Sequence, residues 1–150
     1  MGAFSGAGAT FAEASNGTTA EHVYWYSDFM QQKDCTGVTV NTWKGSANMS
    51  LPEGDGATQV NIAPLSNGVA LLGEASKVTA VSTYRFSSIT PSADASKGGL
   101  TVGLRGKPGE VVALLFAVGG KCVSVPTTIG VDGTGAAHSP GSATVAAHSG

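Results

Sequence analysis

The chain has 150 residues, of which 41% are hydrophobic and 12% are charged, and its formal net charge is −2. Disordered chains combine low hydrophobicity with high net charge, so this composition excludes disorder of that kind. A single domain of this length buries roughly 70% of its unfolded surface and can hold a core without metals. Nucleic-acid binding is not expected, because the eight lysines and arginines are scattered singly along the sequence.

Membrane insertion is not expected either. The longest apolar run, residues 111–118, is well short of the roughly 18 residues that suggest a membrane span. The first residues lack the basic region and the continuous apolar segment of a signal peptide. Two origins therefore stay open: synthesis for the cytoplasm, or removal of a leader from a protein that works outside it.

The sequence predicts three segments. Residues 1–20 form an N-terminal arm of small and polar residues with two apolar anchors, Phe4 and Phe11. Residues 21–135 form a β-sandwich domain. Residues 136–150 form a C-terminal tail that holds one candidate strand, at about 141–147.

Aromatic residues are concentrated at the start of the predicted domain, and sequence patterns typical of β-strands follow them. We favour a strand over His22–Tyr26 against a short helix. Apolar and other residues alternate from Val38 to Trp43, which is typical of a strand with one buried face. Turn-forming residues then separate further predicted strands at 47–51, 57–63, 68–73, 77–87, 99–105, 110–118 and 121–131. No helix and no internal repeat is predicted.

The strands at 110–118 and 121–131 are the most distinct. Gly119-Gly120 between them predicts a two-residue hairpin with both glycines at positive φ. The first strand is apolar on both faces, so we expect it in the centre of its sheet. Pro126 in the second strand predicts an edge position or a bulge.

The segment GLTVGLRGKPGEVVALLFAVGGKCVSVPTTIGVDGTG, from Gly99 through Gly135, resembles the C-terminal strands of immunoglobulin-like modules on bacterial and phage surface proteins. The resemblance covers about a quarter of the chain, rests on the rhythm of strands and turns, and implies a fold but no site residue. Short predicted strands at regular spacing also indicate a β-sandwich. The predicted fold is all-β, an antiparallel β-sandwich of immunoglobulin-like or jelly-roll-like type with an extended N-terminal arm.

The two cysteines, Cys35 and Cys122, allow two interpretations. They form a disulfide if the protein works outside a reducing cytoplasm, and they are half-buried thiols if it works inside one. A catalytic cysteine needs a histidine base within reach, and the three histidines are scattered. We therefore predict no catalytic residue, no metal site and no cofactor.

An aromatic group is the one feature of the sequence that could form a ligand face. Large aromatic side chains are enriched at protein interfaces, and their rings also stack on sugars. The group either completes the core, or contacts another protein, or forms a platform for a glycan. Its members are Tyr24, Trp25, Tyr26, Phe29 and Trp43.

These observations predict a structural protein and not an enzyme. Low charge, many small residues, a β core and extended ends suit close lateral packing. The leading hypothesis is a self-associating subunit of a virion or surface fibre, of the phage capsid-decoration or tail type, which binds copies of itself or neighbouring structural subunits. The alternative is a carbohydrate-binding or adhesive module that uses Tyr24, Trp25, Tyr26 and Trp43.

Overall fold

The computed structural model describes residues 21–26, 34–44, 60–66, 68–77, 81–91 and 99–140. These ranges contain nine strands and no helix, so the prediction of an all-β chain is confirmed. The strands are β1 (Glu21–Tyr26), β2 (Thr39–Lys44), β3 (Asn61–Pro64), β4 (Val69–Glu74), β5 (Phe86–Pro91), β6 (Leu100–Arg105), β7 (Val111–Val118), β8 (Lys121–Thr128) and β9 (Thr134–His138). A search of the same ranges for a long apolar helix able to cross a membrane finds none.

The strands form three antiparallel sheets of three strands each, in the orders β2-β1-β3, β4-β7-β8 and β5-β6-β9. Strands β1, β7 and β6 are therefore central. Among the described residues, each of the other six strands has one neighbour and lies at a sheet edge.

Two hydrophobic cores lie on the two faces of the sheet β4-β7-β8. Leu114, Phe116 and Val118 of β7 pack into the first core with residues from β4, β5, β6 and β9. Leu115 and Ala117, on the opposite face, pack into the second core with residues from β1, β3 and β4. A strand that is apolar on both faces has to be covered on both. The predicted central position of this strand is confirmed.

The hairpin that joins β7 to β8 is also confirmed. Val118 pairs with Lys121, and the two residues between them, Gly119 and Gly120, have φ of 57° and 80°. Only glycine adopts two successive positive φ values without a steric cost, which explains the choice of residues. Pro126 lies on β8, at the edge of its sheet, as predicted.

One predicted strand is wrong. Residues 81–85, placed within a strand at 77–87, form a turn, and the strand begins at Phe86. The carbonyl of Ser82 accepts hydrogen bonds from the backbone N–H groups of Arg85 and Phe86, at 3.2 and 2.9 Å, and so closes the turn. The edge strand at 121–131 is shorter than predicted and ends at Thr128.

A strand that the sequence pattern did not indicate, β9, pairs with β6 over five residue pairs from Arg105–Thr134 to Thr101–His138. The strands predicted at 47–51 and 141–147 lie outside the described residues, as does the arm with Phe4 and Phe11.

Candidate functional site

The main polar feature of the described residues is an ion-pair cluster around Arg85, here called the Arg85 cluster. Arg85 Nε donates to Glu74 Oε2 at 3.0 Å, and Nη2 donates to Glu110 Oε1 at 2.6 Å. Three further bonds run from Nη1 to Glu110 Oε2 (3.0 Å), from Nη1 to the carbonyl of Arg105 (2.8 Å) and from Nη2 to Glu74 Oε1 (3.4 Å). A guanidinium has five N–H donors, so each has an acceptor.

Local structure places these three side chains together. Glu74 is the last residue of β4, and Arg85 is the last residue of the turn at residues 81–85. Glu110 closes the predicted turn Lys107-Pro108-Gly109: its N–H donates to the Lys107 carbonyl, and its Oε2 accepts from the Lys107 N–H, both at 3.0 Å. The Arg85 cluster therefore ties three chain segments to one another.

Gly106 makes this close approach possible. A Cβ atom at position 106 would collide with Arg85 Nη1 and would lie 2.6 Å from Glu110 Oε2. A larger residue would displace the ends of the Arg85 and Glu110 side chains from these positions, so glycine suits the close contact here.

The ion pairs shift the pKa of both kinds of partner. The hydrogen bond from Arg85, followed by that from the Lys107 N–H, lowers the pKa of Glu110 from 4.5 to about 2. The pKa of Arg85 is raised above its usual value, and the hydrogen bond to Glu110 is the main cause. Arg85 and Glu110 therefore both carry their charges at neutral pH.

We expect the Arg85 cluster to make stability depend on pH in acid. A carboxylate whose pKa falls on folding stabilises the native state above its unfolded pKa, and this contribution disappears as the pH falls through the folded pKa. For Glu110 this window runs from 4.5 down to about 2. The midpoint of thermal unfolding, measured from pH 6 to pH 2, should fall less steeply for Glu110→Gln than for the unchanged protein.

Glutamine keeps the shape of the side chain and one of its two acceptor oxygens, which makes it a conservative control for packing. Asp34 and Asp132 also have lowered pKa values, because of hydrogen bonds from Thr36 and Thr134. Both proteins should therefore keep a shared, residual dependence on pH. Parallel curves for the two proteins would contradict the assignment of the shift to Glu110.

A pocket of about 640 Å³ opens beside the Arg85 cluster. Four of the eight lysines and arginines of the chain line it, together with two glutamates, so the lining has a net charge of +2 in a chain of net charge −2. The basic residues are Lys77, Arg85, Arg105 and Lys107. The sequence analysis treated the basic residues as scattered, and folding brings half of them together.

The rim of this pocket, here called the cationic pocket, carries an exposed aromatic ring. Tyr84 lies in the turn before β5, and its side chain is 91% exposed. Arg105 and Lys107 are exposed as well, and neither makes an ion pair in the part of the chain that the structure describes. Arg105 Nη1 donates one long hydrogen bond, 3.4 Å, to the carbonyl of Thr83.

The two cysteines are bonded to each other. Cys35 precedes β2, Cys122 lies on β8, and their Cα atoms are 5.5 Å apart, within the limit of about 7 Å for a bridge. Both half-buried side chains pack against the second core. The bond therefore joins the segment leading into β2 to the sheet β4-β7-β8.

The aromatic group of the sequence is only partly described. The backbone of Tyr24, Trp25 and Tyr26 lies in β1, opposite residues of β2. The indole of Trp43 is 2% exposed, and its centroid lies 5.7 Å from that of the His22 ring. This burial favours the core interpretation for Trp43. Phe29 lies outside the described residues, with Phe4 and Phe11.

Nothing in the described ranges groups three or more histidine, cysteine or acidic side chains in a way that could hold a metal ion. Comparisons of the chain with protein-family models, with curated proteins and with solved structures return no significant match.

Proposed function

We propose that the protein is a non-enzymatic structural module, a β-sandwich of immunoglobulin-like or jelly-roll-like type that self-associates in a virion or a surface fibre of the phage capsid-decoration or tail type. The observation that carries the proposal is the free edge of β5. Its last five residues are exposed, and among the described residues its only neighbour is β6. Unpaired backbone groups on such an edge are a template for a strand of another chain.

Strand β5 differs in chemistry from the edge strands β8 and β3. Natural edge strands avoid association through lysine, proline, β-bulges, short length or coverage. Strand β8 has Lys121 and Pro126, and β3 has four residues. Strand β5 carries no charge, its only proline is the last residue, Pro91, and the register shift between Phe86 and Ser88 lies at its start, away from its exposed end. Ile89, in the middle of the strand, is 44% exposed although it pairs with the fully buried Val102.

A disulfide-bonded frame supports use outside the cell as well. The disulfide between Cys35 and Cys122 is typical of secreted and virion-surface proteins, because a reducing cytoplasm keeps thiols free. Cores on both faces of the sheet β4-β7-β8 give the module rigidity. Such a frame suits a subunit whose task is to hold a fixed shape among its neighbours.

The proposed occupant of the β5 edge is the arm, residues 1–20, of a second copy. Full burial of Phe4 and Phe11 would contribute roughly 1.5–3 kcal/mol each. Fixing the backbone costs about 1–2 kcal/mol per residue. Two phenylalanines cannot hold an arm of this length by contact alone, so backbone hydrogen bonds to an open strand edge have to contribute.

The experiment compares two threonine-to-lysine substitutions on two edge strands. Thr90 on β5 and Thr128 on β8 are both exposed. We expect Thr90→Lys to lower the average mass of the assembly in sedimentation velocity, since a lysine on the edge opposes strand addition. Thr128→Lys adds the same charge and should leave that mass unchanged. Equal effects of the two changes, or none for Thr90→Lys, would remove β5 from the interface.

A further inference from the structure

The cationic pocket is an open depression in the surface, and no residue of β5 lines it. Its volume of about 640 Å³ lies within the usual range for small-molecule sites, roughly 300–1,000 Å³. It lies where the turn at residues 81–85 meets the turn between β6 and β7. The five hydrogen bonds of Arg85 link the two turns to each other and to the end of β4.

Among the basic side chains that line the pocket, Arg85 already has acidic partners, and others do not. Arg85 has no donor left, because Glu74, Glu110 and the Arg105 carbonyl accept from all of them. Arg105 and Lys107 are exposed and without an acidic partner among the described residues. Lys77 is exposed and adds a third positive charge to the lining without an ion pair among the described residues. A carboxylate or sulfate placed between Arg105 and Lys107 would receive charge-assisted hydrogen bonds.

The neighbouring aromatic ring adds a second kind of contact. Tyr84 is 91% exposed, and it lines the same pocket as Arg105 and Lys107. An exposed tyrosine combines a flat apolar face with a polar hydroxyl. A sugar ring offers C–H groups on its face and hydroxyls at its edge, and it therefore matches this side chain.

We propose that the cationic pocket binds an acidic saccharide, with its carboxylate or sulfate on Arg105 and Lys107 and its ring on Tyr84. Nucleic acid fits less well, since its binding sites commonly neutralise about six to ten phosphates along a track. Here the available cations occupy one pocket, and the chain as a whole is negative. The inference does not depend on the proposed assembly and would hold for a monomer.

The test uses one polysaccharide backbone in three forms, as short oligosaccharides: dextran, carboxymethyl-dextran and dextran sulfate. Binding is measured by isothermal titration at about 150 mM salt, where interactions beyond about 8 Å are largely screened. We expect carboxymethyl-dextran, dextran sulfate or both to bind, and neutral dextran to bind at least tenfold more weakly. The stronger of the two acidic forms identifies the anionic group that the pocket selects.

Three variants then locate the site. Arg105→Gln and Tyr84→Ser should each raise Kd about tenfold, which is the usual consequence of losing a hydrogen bond to a charged group or a ring contact. Lys121→Gln is the matched control. It also removes one positive charge, at the far end of β7 from the pocket, roughly 25 Å away at the usual rise per strand residue. It should change Kd less than twofold.

Four outcomes would overturn the proposal: no binding of either acidic form, equal binding of neutral dextran, equal losses for Lys121→Gln and Arg105→Gln, or an unchanged Kd for Tyr84→Ser. Tighter binding of a single-stranded DNA oligonucleotide of equal charge would overturn it as well. Tyr84 and Arg105 are exposed, so neither variant should impair folding. Unfolding curves for all three variants provide the check.

Discussion

Replacing Cys35 and Cys122 together by serine should lower the free energy of unfolding by about 2–5 kcal/mol. The bond closes a loop with a sequence separation of 87 residues, which contains the strands β2 to β7. A cross-link of this span removes many conformations from the unfolded chain. In the chain-entropy model the effect is about 4–5 kcal/mol, and strain in the folded state reduces it.

The measurement is urea unfolding of the oxidised protein, the reduced protein and the double serine variant. Reduced protein and variant should share one midpoint, and a reducing agent should leave the variant unchanged. Thiol titration of the unfolded, oxidised protein should detect no free cysteine. A loss of stability below about 1 kcal/mol, or two titratable thiols in the freshly purified protein, would contradict the bond.

The local sequence pattern was sufficient to predict β7, β8 and the turn between them. The run of apolar residues in β7, the Gly119-Gly120 turn and Pro126 in β8 each have one good structural explanation, and the hairpin is where they placed it. All three signals lie within neighbouring residues. None of them depends on which distant strand packs against which.

Two elements depend on such distant contacts, and the sequence analysis missed both. Val81 and Tyr84 suit a strand, but hydrogen bonds to the Ser82 carbonyl close a turn there. Glutamates 11 and 25 residues away hold the Arg85 side chain at the end of this turn. Strand β9 has small side chains and no apolar alternation. Its Gly135 has to be small, because a Cβ there would lie 3.0 Å from Ile129 Cδ1.

The cationic pocket could not be predicted from local sequence patterns either. The lysines and arginines of the cationic pocket lie between positions 77 and 107, with no motif among them. A possible signal was Gly106-Lys107-Pro108-Gly109 beside Arg105, a basic turn between two strands, but a turn of this composition is common on protein surfaces. The aromatic group was easier to notice, and its member Trp43 is buried.

The central claim is that the protein works by associating with itself, and the arm, residues 1–20, is the segment through which it can be tested. We expect a chain that lacks residues 2–20 to keep a near-native unfolding midpoint, because both described cores are built from residues beyond the arm. The same deletion should weaken or abolish assembly, because it removes the strand that is proposed to complete β5 of the neighbouring copy.

Sedimentation velocity of the intact and the truncated chain, over the same range of protein concentrations, tests this claim most directly. The account predicts that the intact chain forms species of several copies, in proportions that rise with concentration. The truncated chain should sediment as a monomer with an intact fold. An intact chain that stays monomeric at every concentration, or a truncated chain that assembles as well as the intact one, would contradict the account.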